Sequence, residues 1–176
     1  MSDATGCAGA RPTTDPCSRC DLLLGLDDVS VESVERGAVV MRVTVSAAWQ
    51  LMGCPDCGVV AVSRGRRVRV LRDVPHGDVR VQLVWRQRRW CCLEARCSRG
   101  TFAEQVPALA APRAVLTRRA VTWAVGQLCR EHATIAGLAR RLGGRVGDAV
   151  AGGQARAATT CGRPVPVRGR HVVGGR

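Results

Sequence analysis

The residues best suited to chemistry in this chain are cysteines in two close pairs. Cys54-Pro-Asp-Cys57-Gly58 sets two thiols three positions apart with a glycine after the second. A tight turn there points both sulfurs and several backbone N–H groups at one ion, and N–H···S bonds stabilise the thiolates. The second pair follows Trp90: Cys92-Leu-Glu-Ala-Arg-Cys97 has C-x4-C spacing, and Cys91 offers C-x5-C instead. Two such pairs around a strand-rich insert make a four-thiolate tetrahedral zinc site of the ribbon type. Four thiolates leave no open position for water, so such a zinc holds a fold and performs no hydrolysis. His76 lies in a Pro-His-Gly turn, where a solvated histidine is expected instead of a ligand. Cys17-Ser-Arg-Cys20 also has C-x-x-C spacing, but it lacks a matching pair nearby and the βαβ context of a redox motif, so it reads as incidental.

The elements that position these pairs are short strands. Val29–Val34 and Ala38–Val45 are rich in β-branched residues, are separated by Glu35-Arg36-Gly37, and predict a β-hairpin. After the first cysteine pair, Val59–Val62 is expected to leave as a strand. Arg67–Val70 and Val79–Trp85 then alternate on either side of the turn residues Val74–Asp78, which predicts a second hairpin. Alternation assigns Val68, Val70, Val79, Val81, Leu83 and Trp85 to its packed face. The opposite face would carry Arg67, Arg69 and Arg80, followed by Arg86, Arg88 and Arg89.

Beyond Pro107 the period changes to that of a helix. Arg113–Glu131 carries Leu116, Ala120, Trp123, Ala124, Val125 and Leu128 on one stripe, with Pro112 placed for a start. A second helix is expected from Ile135, capped by Thr134. Its Leu138-Ala139 and Leu142-Gly143 match the first half of a helix-turn-helix, where a small Ala admits the next helix and Gly takes the turn. Residues 144–176 hold eight Gly, six Arg and one acid, too much glycine for a recognition helix, and read as a disordered basic tail. The fold class expected is therefore α+β in small domains. Residues 1–21 form a flexible arm, 22–53 a β-hairpin lead-in and 54–105 a zinc-ribbon-like module. Residues 106–143 form an incomplete helix-turn-helix, and 144–176 the tail.

Charge supports a polyanionic partner. The net charge is +13, from 27 arginines and no lysine, which suits a phosphate backbone better than a small neutral substrate. Residues 1–53 have 4 Arg against 7 acids, whereas residues 64–99 have 11 Arg against 3 acids, so the footprint lies between the cysteine pairs. No run of about 18 apolar residues suggests a membrane span, and the N-terminus lacks a secretory pattern. Ten cysteines without an export signal argue for metal or free thiols in the cytoplasm.

With these residues in view, the chain resembles the N-terminal part of bacterial insertion-sequence transposases of the ISL-three family. The resemblance rests on the CPDCG knuckle, the Arg-rich insert with LRDVPHG, the RRWCC…C pair and the run TFAEQVPALAAPRA, and spans roughly Leu22 to Gly143. The family pattern Arg-Arg-aromatic-x-Cys-x4-Cys implies Cys54, Cys57, Cys92 and Cys97 as structural Zn2+ ligands, with Cys91 spare. The resemblance further implies a zinc finger and helix-turn-helix that recognise the terminal inverted repeats of a mobile element. Cutting and joining of DNA would fall to a separate RNase H-like domain with three carboxylates. The resemblance stops at Gly143, where a recognition helix is due, and a frameshift near Gly144 is the expected cause. The function implied is non-catalytic, largely electrostatic DNA binding through Arg64, Arg66, Arg67, Arg69, Arg86, Arg88 and Arg89, with Arg140 and Arg141 on the helical part. The alternatives are a free-standing zinc-ribbon adaptor for RNA or a protein, and a thiol redox protein.

Overall fold

The computed structural model describes residue 21, residues 24–26 and residues 28–144. The N-terminal arm with Cys17 and Cys20, and nearly all of the basic tail, lie outside the described residues.

The first hairpin forms where the β-branched runs predict it. Strand β1 (Val29–Arg36) pairs antiparallel with β2 (Val40–Ala47), and Val29, Val31, Val43, Val45 and Ala47 are buried on one face. The turn sits slightly later than expected, at residues 37–39. Gly37 donates its N–H to the Val40 carbonyl, and a Cβ at Gly37 would stand 2.8 Å from that oxygen, so the turn admits no side chain there.

The second hairpin is longer than its alternating segments suggest. Strands β3 (Val62–His76) and β4 (Val79–Cys91) flank the turn at Gly77-Asp78. Strand β4 is the centre of one five-stranded sheet: β3 lies on one side, and β2 (parallel) and then the short β5 (Thr101–Ala103) lie on the other. The lead-in hairpin and the arginine-rich insert therefore share one sheet and one core.

The packed face of β3 differs from expectation. Val68 and Val70 are 65% and 50% exposed, while Leu71 and Asp73 are buried opposite Leu83 and Val81. A bulge between Asp73 and His76 is the cause. One extra residue on one strand reverses the side-chain parity of everything beyond it, because strand side chains repeat every two residues. Arg67, Arg69, Leu71 and Asp73 thus share the core-side face with Val81, Leu83, Trp85 and Gln87.

Residues 104–116 cross the core-side face and close it with Val106, Leu109 and Ala110. They end in a bridge between Leu116 and Arg72. Helix α1 (Arg118–Arg130) starts at Thr117, not near Pro112. Arg113 adopts φ of 61°, which is incompatible with a helix, whereas the Thr117 hydroxyl accepts from the Ala120 N–H and caps the first turn. That hydroxyl also donates to Asp73 at 2.6 Å, and Arg119 pairs with the same buried carboxylate, so one acid on β3 fixes where the helix begins. Helix α2 (Ile135–Leu142) is capped by Thr134 as expected and ends at Gly143 in the left-handed region. The two helices pack through Leu116, Ala120, Ala124, Leu138 and Leu142, with Val74 at the edge of this second cluster.

Candidate metal centre

Each cysteine pair sits on a turn whose base is tied by the backbone. In the first, Cys54 donates its N–H to the Val59 carbonyl and Gly58 donates to the Cys54 carbonyl, both at 2.8 Å. Gly58 holds φ of 75°, which explains the glycine after the second cysteine. In the second, β4 ends at Cys91, Cys92 donates to the Gly100 carbonyl at 3.1 Å, and Cys97 donates to the Glu94 carbonyl at 3.0 Å. The sheet brings the turns together, since β3 leaves the first pair and β4 returns to the second.

The result is a cluster of four sulfurs, from Cys54, Cys57, Cys92 and Cys97, all within 4.8 Å of one another. Cys54 and Cys97 Sγ lie 3.8 Å apart, and Cys57 and Cys92 Sγ 3.5 Å apart. A tetrahedral zinc with Zn–S bonds of about 2.3 Å requires S–S edges of about 3.8 Å, so the set matches a ZnS4 site, and the separations are too long for disulfides.

The backbone around the sulfurs fits the same reading. Each Sγ accepts an N–H from the residue two positions on: Asp56 for Cys54, Val59 for Cys57, Glu94 for Cys92 and Arg99 for Cys97. Cys54 accepts from Cys57 as well. Burial pushes the Cys54 thiol up, but these N–H groups and the neighbouring thiols outweigh it and bring it down to about 7. The N–H donors lower the other three, yet burial and the crowding of thiols leave them raised, as expected of thiols that need a cation to ionise together.

Cys91 is not part of the cluster. It is the last residue of β4, paired with Val62 and Thr101, and its Sγ lies 3.6 Å from the Cys92 carbonyl. His76 is exposed at the far end of the β3–β4 hairpin. Sequence reasoning missed one supporting contact: Arg99 grips Asp56 with two bonds of 2.8 and 2.9 Å and so ties the second turn to the first. The Arg99 guanidinium holds the Asp56 carboxyl below its ordinary range. Both residues sit one or two positions from a cysteine, and only the fold shows that they meet.

The bulged β3 divides the arginines between two faces. Arg66 and Arg86 share Glu32 of β1, at 3.4 and 2.8 Å. Arg67 and Arg69 are on the core side. Arg67 donates to Gln87, while Arg69 lies 5.6 Å over the Trp85 ring and donates to the carbonyls of Ala111 and Ala114. Arg88 corrects the sequence expectation. It is only 8% exposed and is bonded to Glu104 and to the Ala48 carbonyl, so it holds the fold instead of facing a ligand. Arg64 and Arg89 are exposed. Arg141 stacks 5.0 Å over Trp123 on the helical part, and the neighbouring Arg140 is exposed.

A β-sheet that carries two cysteine turns closing on one tetrathiolate defines a zinc-ribbon-like protein. Residues 50–97 match a family model described as the zinc-finger of transposase IS204/IS1001/IS1096/IS1165, which bears out the resemblance over that segment. Comparison with curated proteins and with solved structures finds no match. The family match and the sulfur geometry together identify a structural Zn2+ site formed by Cys54, Cys57, Cys92 and Cys97. Among the described residues, no helix is long and apolar enough to cross a membrane.

Proposed function

We propose that this protein acts in the cytoplasm as the zinc-containing DNA-binding part of an insertion-sequence transposase and contributes to recognition of terminal inverted repeats. Cutting and joining are assigned to a carboxylate-bearing part of such an enzyme, not to the residues described. The observation that carries the reading is the coincidence of the family match at residues 50–97 with the four-sulfur cluster. The closed site supports a non-catalytic role, since zinc bound by four thiolates has no place for substrate or water.

The proposed DNA contacts are Arg64, Arg66, Arg67, Arg86 and Arg89, with Arg140 and Arg141 presented by α2. Arg69 is the least available, because its guanidinium already has two carbonyl partners. Helices α1 and α2 serve as the opening part of a helix-turn-helix. In support, Ala139 is buried, Gly143 takes the left-handed turn, and Arg80 on β4 donates to the Arg140 carbonyl, which seats α2 against the sheet.

The test is fluorescence anisotropy of the zinc-loaded chain with a mixed-sequence DNA duplex between 50 and 200 mM salt. The expected result is binding that weakens steeply with salt, as counterion release demands. Failure to bind duplex DNA at 50 mM salt, where non-specific dissociation constants are on the order of 10⁻⁴ M or tighter, would overturn the reading.

A further inference from the structure

Beside the zinc site lies an open cleft of about 650 Å³, walled by the first cysteine turn, β3, β4 and β5. Its polar lining includes Arg67, Arg89, Arg99, Thr101 and Gln105, its apolar lining Met52, Pro55 and Phe102, and among the described residues no carboxylate lines it. The parity change in β3 creates this arrangement. It turns Arg67 to the core-side face, where Arg67 and Arg89 of β4 both line the cleft.

We infer that this cleft is the seat of a DNA backbone phosphodiester, an inference that rests on the DNA-binding reading above. Three observations carry it. First, three arginines line the cleft, and of these only Arg99 is paired with a carboxylate, Asp56. Second, the guanidiniums are aimed by the fold. Gln87, itself buried and bonded to the Glu104 carbonyl, orients Arg67, and Asp56 orients Arg99 through two bonds. Guanidiniums pre-set in this way lose less side-chain freedom when they meet a phosphate. Third, the opposite face competes poorly. There both Arg66 and Arg86 are paired with Glu32, whereas in the cleft Arg67 and Arg89 have no carboxylate partner among the described residues.

The cleft also links DNA binding to the metal. Pro55 and Gly53 of the first cysteine turn form part of its wall, and Arg99, which also lines it, gives its backbone N–H to Cys97. Zinc holds these residues in register without touching DNA. The Thr101 hydroxyl and the Gln105 amide add neutral donors suited to the remaining phosphate oxygens.

The experiment compares the zinc-loaded full chain with Arg89→Ala, Arg67→Ala and their double variant, with Arg86→Ala for the opposite face and Arg42→Ala as an exposed control. The probe is a 20-base-pair mixed-sequence duplex, read by anisotropy across a salt series, with zinc content confirming the fold of each variant. The double variant is expected to lose at least tenfold in affinity and to lower the salt slope by about two, while Arg42→Ala stays within about twofold. Arg89→Lys, which keeps the charge, should recover most of the loss. A double variant with wild-type affinity and slope overturns the cleft, as does a larger loss from Arg86→Ala than from Arg89→Ala. In both cases the wild type still binds and the proposed function stands. A wild type that binds no duplex overturns the function and the cleft together.

Discussion

Arg88 and Glu104 form an ion pair inside the protein. The guanidinium lies 3.1 Å from a carboxylate whose side chain is wholly covered, and the backbones of the two residues are bonded to each other as well. This pair clamps the segment after β5 to the central strand, next to the zinc site. A buried pair of this kind is costly to break, because the surviving partner is left as an uncompensated charge. Glu104→Ala is therefore expected to destabilise the fold by about 3–5 kcal/mol in urea unfolding. Replacing both residues by apolar ones of similar size should cost much less, and a double replacement as damaging as the single one would refute the clamp.

The zinc site predicts its own loss. Cys57→Ser removes one of four thiolates from a cluster that folding and metal binding assemble together. The variant should lose most of its bound zinc by metal analysis and the order of residues 50–105 by amide exchange. Cys91→Ser, outside the cluster, should retain one zinc per chain. Equal zinc loss from the two variants would contradict the ligand assignment.

The start of α1 depends on Thr117, which caps the helix and donates to the buried Asp73. Thr117→Val keeps the shape and removes both bonds. A loss of about 1–2 kcal/mol is expected, the upper range for an N-cap because Asp73 is left short of a donor in a buried place. Thermal unfolding measures it, and an unchanged midpoint would show that Pro112 or another residue sets the helix start.

Glu32 links stability to pH. Partial burial raises its carboxyl, but Arg86, Ser46 and Arg66 together outweigh this and hold it below the ordinary value of 4.5. The folded pKa is thus below the unfolded one. The stabilisation is present above the unfolded value and fades as the pH falls through the folded one. With the side chain partly open to solvent, it amounts to less than about 1 kcal/mol. The advantage of wild type over Glu32→Gln in urea should therefore be present at neutral pH and shrink progressively as the pH falls below the ordinary value of 4.5. Release of zinc in acid is common to both proteins and cancels in the difference. A difference that grows on acidification would exclude this role.

The sequence by itself determined the features whose chemistry is local. The thiol spacing of Cys54-x-x-Cys57 with Gly58, the alternation of Val29–Val45 and the cap at Thr134 act within a few residues of themselves, so they were legible before any fold. The sequence also placed the basic footprint between the cysteine pairs. Tertiary structure alone decided which arginines share a face. A single extra residue near Asp73–His76 reverses the parity of β3, and no short-range pattern marks a register that is set by pairing with β4. It also separated Arg88, committed to Glu104, from its neighbour Arg89, which lines the cleft, although the two look alike in sequence. Arg99 meets Asp56 across 43 residues for the same reason. The partner of a charge is chosen by strand register and chain crossing, and these are properties of the whole sheet.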